Sequence, residues 1–256
     1  MNLVTIIDYD DNSSKNLLCC LWMFFAQKWM KKDDKIFVLT SGKISNYILN
    51  NFKQYDNIEI IIRKCWQPDK PINSRGMDFT NIFKLYNLCF LKFPYIFIDV
   101  DAIILADPHY LWELRKDKPW IIVDHQTPPG YEQWNFMNTG VVIVDDPTFC
   151  NWNKIIELQR QRDFVYDIGG YDQPLLDVYF KDIKYDYHHE KFGHDWNSCA
   201  DFNRIWMTPK CEWKAETFAF DKNYPVNIHH YWNKKPWNSD WCPLYNYYNK
   251  LFYSVK

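Results

Sequence analysis

The strongest constraint on the fold is the way short, wholly apolar runs alternate with longer amphipathic stretches through the first half of the chain. Residues 3–7 (LVTII), 35–40 (KIFVLT), 58–62 (IEIII) and 95–98 (YIFI) are rich in Ile, Val and Phe and mostly lack polar alternation. Such runs belong to strands covered on both faces. Between them lie helical patterns. Asn12-Ser13-Ser14 starts an apolar-rich segment reaching Met30, residues 45–52 form a second, and residues 78–93 form a third that Pro94 stops. Strand and helix in alternation predict parallel βαβ units in a doubly wound α/β sheet. Residues 65–77, with Pro68, Pro71 and Gly76, read as a surface loop.

The second half is less regular. Residues 120–123 and 136–144 predict two more strands, separated by a Pro-Pro-Gly turn at 128–130. A helix is expected over 147–161, and another runs from Asp172 to Phe180 after Gly169-Gly170. Beyond Asp186 the periodicity fades, although 226–229 reads as a last strand and 241–252 as a last helix. No repeat or low-complexity linker divides the chain, and 256 residues suit one core. A single domain over 1–256 is expected, a nucleotide-type sheet to about residue 125 followed by a substrate-binding portion.

Charge removes several classes of function. Lys and Arg total 30 against 32 Asp and Glu, a net charge of −2, so no basic field exists for a nucleic-acid backbone. An aromatic content of 19% argues against disorder. The 13 Trp and 18 Tyr could stack on apolar sugar faces, but most are expected in the core. The most apolar stretch, residues 17–26 (LLCCLWMFFA), is too short to span a bilayer, and no basic region leads to a cleavage site at the N-terminus. The eight cysteines show no CxxC spacing, and Cys19, Cys20 and Cys89 sit in apolar runs. They read as reduced core residues of a cytoplasmic protein.

Two Asp-x-Asp pairs follow predicted strands, Asp8/Asp10 and Asp99/Asp101. Asp is common enough here that spacing alone decides nothing. Context favours the second pair, because YIFI before it and AIIL after it leave the acids as the only polar groups of the stretch. At the carboxyl end of a buried strand, where open α/β sheets bind ligands, two such carboxylates can converge on a divalent cation. Acids capping a turn would satisfy the same spacing.

Four ordered blocks sharpen the choice. A helix containing Lys84 leads into YIFIDVDAIILADP; FMNTGVVIV follows at 136–144; Gly170-Tyr171-Asp172-Gln173-Pro174-Leu175-Leu176 comes next; and His229-His230-Tyr231-Trp232-Asn233-Lys234-Lys235-Pro236-Trp237 ends the series. Together they resemble the glycogenin-like glycosyltransferases, family 8 of the GT-A fold. The last block is similar to that family's His-x-x-Gly-x-x-Lys-Pro-Trp ending, with six residues from His229 to Lys235 and Trp232 at the glycine position.

The resemblance implies a single GT-A domain with a Rossmann-like, mostly parallel sheet, flanking helices and an irregular C-terminal acceptor side. It implies a retaining hexosyl transfer from a UDP-sugar, with glucose or galactose favoured, to a glycan, protein or polyol hydroxyl. Asp99, Asp101 and His229 would hold Mn2+, with Mg2+ as the alternative, and a carboxylate pair with an imidazole suits manganese better than calcium. Lys235 would place fixed charge on a phosphate. Asp172 and Gln173 would sit at the anomeric centre, where a helix N-cap role for Asp172 is the plain alternative. Donor contacts would come from Ile6, Asp8, Tyr9, Arg75, Lys84, Val100, Asp124, Asn138, Thr139 and Gly140. Relatives are often dimers, so a homodimer is carried over too, although no sequence feature marks an interface.

Two rival readings stand beside this one. An apolar strand ending in Asp8-Tyr9-Asp10 resembles the start of haloacid dehalogenase-like phosphatases, in which Asp145/Asp146 would complete a magnesium site. A catalytically silent carbohydrate-binding protein would use the Trp-rich second half and need no cation.

Overall fold

A computed structural model describes residues 1–9, 11–64, 79–123, 137–161, 172–190, 196, 198–199 and 228–230. The expected loop at 65–77, the turn at 128–130 and the helix at 241–252 lie outside the described residues.

Three of the apolar runs form the centre of a six-stranded sheet. The fourth, 58–62, is its edge strand and is only half covered, with Ile62 exposed, because among the described residues no strand pairs beyond it and no helix covers both its faces. Strands β1 (Asn2–Ile6), β2 (Lys35–Thr40), β3 (Ile58–Ile62), β4 (Tyr95–Ile98), β6 (Trp120–Ile122) and β7 (Val141–Val144) are ordered β3-β2-β1-β4-β7-β6. The pairings of β1 with β2, β2 with β3 and β1 with β4 are parallel, as the alternation predicts. β7 departs from this, pairing antiparallel with both β4 and β6. The sheet is thus mixed and mostly parallel, the arrangement of a GT-A fold.

Period-two alternation explains why these runs are apolar throughout. Val4, Phe37, Leu39, Tyr95, Phe97, Val142 and Val144 enter one core, with residues of helices α3 (Phe79–Leu88), α5 (Trp152–Gln161) and α6 (Asp172–Asp182). Leu3, Ile36, Val38, Ile96, Ile98, Val141 and Ile143 enter the other, with helices α1 (Ser13–Gln27) and α2 (Asn46–Phe52). Each face is sealed by helices, so neither can alternate with polar residues. In α1, Asn12 caps the first turn by accepting from the Lys15 N–H at 3.1 Å. The helix closes at Gln27, where Trp29 and Met30 donate three residues back to Ala26 and Gln27, tightening the end short of the expected Met30.

A second, three-stranded sheet contains β5 (Ala102–Ile104), β9 (Ile228–His230) and β8 (Ser198–Cys199) in the order β5-β9-β8. The short helix α4 (His109–Leu114) follows β5. The helix expected over 147–161 splits into a 3-10 turn at Pro147–Phe149, capped by Asp146, and α5. The strand expected at 136–144 narrows to Val141–Val144, because Thr139 and Gly140 form a turn.

Candidate active site

The order β2-β1-β4 places the reversal of winding between β1 and β4, and doubly wound sheets open a ligand crevice beyond the strand ends at such a point. Asp8 follows β1 and Asp99 follows β4, so both carboxylates stand at this mouth. The Asp99 N–H donates to the Gly140 carbonyl at 2.8 Å, and the Ala102 N–H closes a turn on the Asp99 carbonyl at 2.9 Å. That turn presents Asp99, Val100 and Asp101 and launches β5 into the second sheet.

β5 then pairs with β9, with Ala102 opposite His230. This register brings the His230 imidazole to the acids, Nε2 lying 3.4 Å from Asp101 Oδ1 and 3.9 Å from Asp99 Oδ2. One ligand atom from each of the three residues falls within 4.8 Å of the others. Gly140 makes room for the ring: a Cβ there would stand 2.2 Å from His230 Cε1 and 2.5 Å from Nδ1. The imidazole that meets the pair is one residue beyond the expected His229, whose side chain lies outside the described residues. Sequence reasoning therefore missed His230. The signal was strand phase, since residues 228 and 230 share a face, Ile228 is buried and His230 is 3% exposed.

Beside the acids, α3 inserts Lys84, only 6% exposed. Its Nζ lies 3.0 Å from Asp99 Oδ2, 3.3 Å from Asp172 Oδ2 and 3.3 Å from Thr139 Oγ1, and 4.7 Å from the Phe97 ring centroid. Thr139 Oγ1 donates to Asp172 Oδ2 at 2.5 Å. Burial by itself would lower the Lys84 ammonium, but the Asp172 and Asp99 carboxylates outweigh it and hold the pKa above the ordinary lysine value. The Asp99 carboxyl is held above 3.8 by burial first, with Asp101 and Asp172 pushing the same way against Lys84 and His230.

Charge at this cluster tests whether a divalent cation fits. Among the described residues, three carboxylates (Asp99, Asp101 and Asp172) meet one ammonium, Lys84, and one imidazole. Such an excess of buried negative charge is costly without a cation. Two carboxylates and an imidazole also form a donor set suited to manganese or magnesium. The residues present fit the ion.

The other expected residues fall as follows. Asp8 is buried, accepting from the Ser41 N–H at 2.6 Å and the Thr40 hydroxyl at 3.2 Å. Ile6 is part of the core. The Tyr9 hydroxyl is in close contact with Cys19 Sγ, and burial followed by Cys19 raises its pKa well above the ordinary value. Lys15 Nζ sits 4.9 Å from the Tyr9 ring centroid. Asn138 is buried and its Oδ1 accepts from the Gly140 N–H at 2.9 Å. Gln173 is half-buried next to Asp172. Arg75, Asp124 and Lys235 lie outside the described residues, as does Asp10.

No family model and no curated protein matches this sequence. Solved structures do match. The galactosyltransferase LgtC, in complex with donor and acceptor sugar analogues, is 18% identical over 99% of this chain and 96% of its own, with a TM-score of 0.68. The glycosyltransferase GlyE of Streptococcus pneumoniae TIGR4 is 19% identical over 99% of this chain and 62% of its own, at 0.64. Mouse xyloside xylosyltransferase 1 is 9% identical over 92% of this chain and 99% of its own, at 0.60. Identity this low makes the likeness one of fold.

Proposed function

We propose that the chain is a metal-dependent, retaining glycosyltransferase that moves a hexose, glucose or galactose first, from a UDP-sugar to an acceptor hydroxyl. The observation that carries this reading is the meeting of Asp99, Asp101 and His230 at the crevice beyond β4, in a fold shared with sugar-transferring enzymes. Cleaving an anomeric carbon–oxygen bond leaves negative charge on the departing diphosphate. A bound divalent ion, manganese in preference to magnesium, supplies the offsetting charge. Asp99, Asp101 and His230 are the residues to hold it.

The remaining roles belong to the same proposal. Asp172, buried beside the acids, orients the transferred sugar with Gln173 next to it. Asp8, Tyr9 and Val100 border the donor at the strand ends, and Lys84 fixes Asp99 and Asp172. Lys235 and Arg75 neutralise phosphate, and Asp124 binds a sugar hydroxyl. Residues 1–256 form one domain, with donor binding to about residue 125 and acceptor binding beyond it. A glycan, protein or polyol acceptor, a homodimer and a cytoplasmic location complete the proposal. In support of the last, Cys19, Cys20, Cys89 and Cys150 are buried in the core.

The phosphatase reading conflicts with the topology. β7 runs antiparallel to β4, so Asp145 and Asp146 leave it at the edge of the sheet opposite Asp8. They cannot complete a site with it. A silent sugar-binding module would not need the carboxylate excess around Lys84.

A panel of nucleotide sugars tests the proposal through hydrolysis and melting temperature. At a hundredfold excess over Kd, a UDP-hexose should raise the midpoint by about 5–10 °C, and only with Mn2+. Asp99→Asn should abolish that rise. The reading fails if no UDP-sugar is bound or consumed, or if Asp99→Asn responds like the wild type.

A further inference from the structure

We propose that Thr139 is a positioning residue that fixes one oxygen of Asp172 so that the other faces the reaction. Thr139 is 1% exposed and its hydroxyl is engaged within the protein, accepting from Lys84 Nζ at 3.3 Å and donating to Asp172 Oδ2 at 2.5 Å. Lys84 meets the same Asp172 oxygen at 3.3 Å. Two donors thus converge on Oδ2, and among the described residues no hydrogen bond to Asp172 Oδ1 occurs. A carboxylate held by one oxygen cannot exchange its two oxygens by rotating about Cβ–Cγ without breaking a charge-assisted hydrogen bond. Lys84 alone would not prevent this, because an ammonium at the end of a four-carbon chain can follow the rotating group. The Thr139 hydroxyl, short and β-branched on the turn before β7, cannot follow it.

The proposal rests on the glycosyltransferase reading for its consequence, but its geometry can be tested separately. Thr139→Val keeps the side-chain shape and removes the hydroxyl, Thr139→Ser keeps the hydroxyl, and Thr139→Ala serves if the Val variant does not fold. With UDP-glucose or UDP-galactose and Mn2+, Thr139→Val should lose roughly ten- to a hundredfold in kcat, as expected for a lost hydrogen bond to a charged group. Donor KM and Mn2+ affinity should stay within about twofold, and Thr139→Ser should restore turnover. In ligand-free protein labelled with 13C-aspartate, the Asp172 carboxyl resonance should shift or broaden in the Val variant and match wild type in the Ser variant. Wild-type turnover by Thr139→Val overturns the proposal, as does a loss carried equally by KM and Mn2+ affinity. If the wild type consumes neither donor, the functional reading is lost and the resonance decides. An unchanged Asp172 signal in the Val or Ala variant rejects Thr139 as its anchor, whereas a shifted one restored by Ser upholds it.

Discussion

Replacing Gly140 with alanine should dismantle the metal site while leaving the sheet intact. The added Cβ would stand 2.2 Å from His230 Cε1, 2.5 Å from its Nδ1 and 2.9 Å from Asn138 Oδ1. Carbon atoms in contact sit about 3.5–4.0 Å apart, so the ring must retreat by about 1.3 Å or more. His230 Nε2 starts 3.4 Å from Asp101 and 3.9 Å from Asp99, and a retreat on that scale takes it out of a shared coordination sphere. Disturbing the support of a metal ligand costs roughly 10–100-fold in affinity, and displacing the ligand itself should reach at least the upper part of that range. Overpacking should lower stability by about 1–3 kcal/mol, a melting shift of a few degrees that leaves the protein folded. Mn2+ titration followed by electron paramagnetic resonance reads the affinity directly, with Asp101→Asn as the comparison. A folded Gly140→Ala protein that binds Mn2+ as tightly as wild type would refute the placement of His230 against Gly140 and with it the three-ligand site.

Lys84→Met should destabilise the fold by about 3–5 kcal/mol in urea titration, because it leaves buried Asp172 and half-buried Asp99 facing each other without their ammonium. Loss below about 1 kcal/mol would show that this ion pair is dispensable. The raised Asp99 carboxyl makes a pH-dependent claim. Between its ordinary value and its folded value the native state binds more protons than the unfolded one, so metal-free stability falls as pH rises through that window above 3.8. Mn2+ needs the deprotonated form, so its affinity rises over the same window. In melting and Mn2+ titrations from pH 4 upward, the difference between wild type and Asp99→Asn should fall with pH for metal-free stability and rise for Mn2+ affinity; differences of the same sign would contradict the assignment.

Much of the fold could be read locally because both sheet faces are buried. The LVTII, KIFVLT and YIFI runs have no solvent side, so composition alone marks them as central strands. The Asp99/Asp101 pair was legible for the same reason, as the polar break in a buried run. What stayed hidden depends on distant partners. Val141–Val144 has the same apolar run whether parallel or antiparallel, and only its pairing with β4 decides the direction. Ala102–Ile104, three residues long, is a strand because β9 pairs with it. His229 matched a six-residue interval to Lys235, whereas the strand phase selects His230. Counting from His230 puts Asn233 at the glycine position and shortens the interval to five. The Lys84–Thr139–Asp172 contact joins a helix, a turn and another helix, and no local pattern announces it.

The reversed direction of β7 has one more consequence. β6 runs parallel to β4, so its last residue and the Asn138–Gly140 turn entering β7 stand on the same rim as Asp99, with the Val123 N–H donating to the Val141 carbonyl at 3.0 Å. The turn that carries Thr139 thus enters the site from the end of the sheet at which β4 delivers Asp99, and a change in that turn acts on the crevice and not on the far end of the sheet.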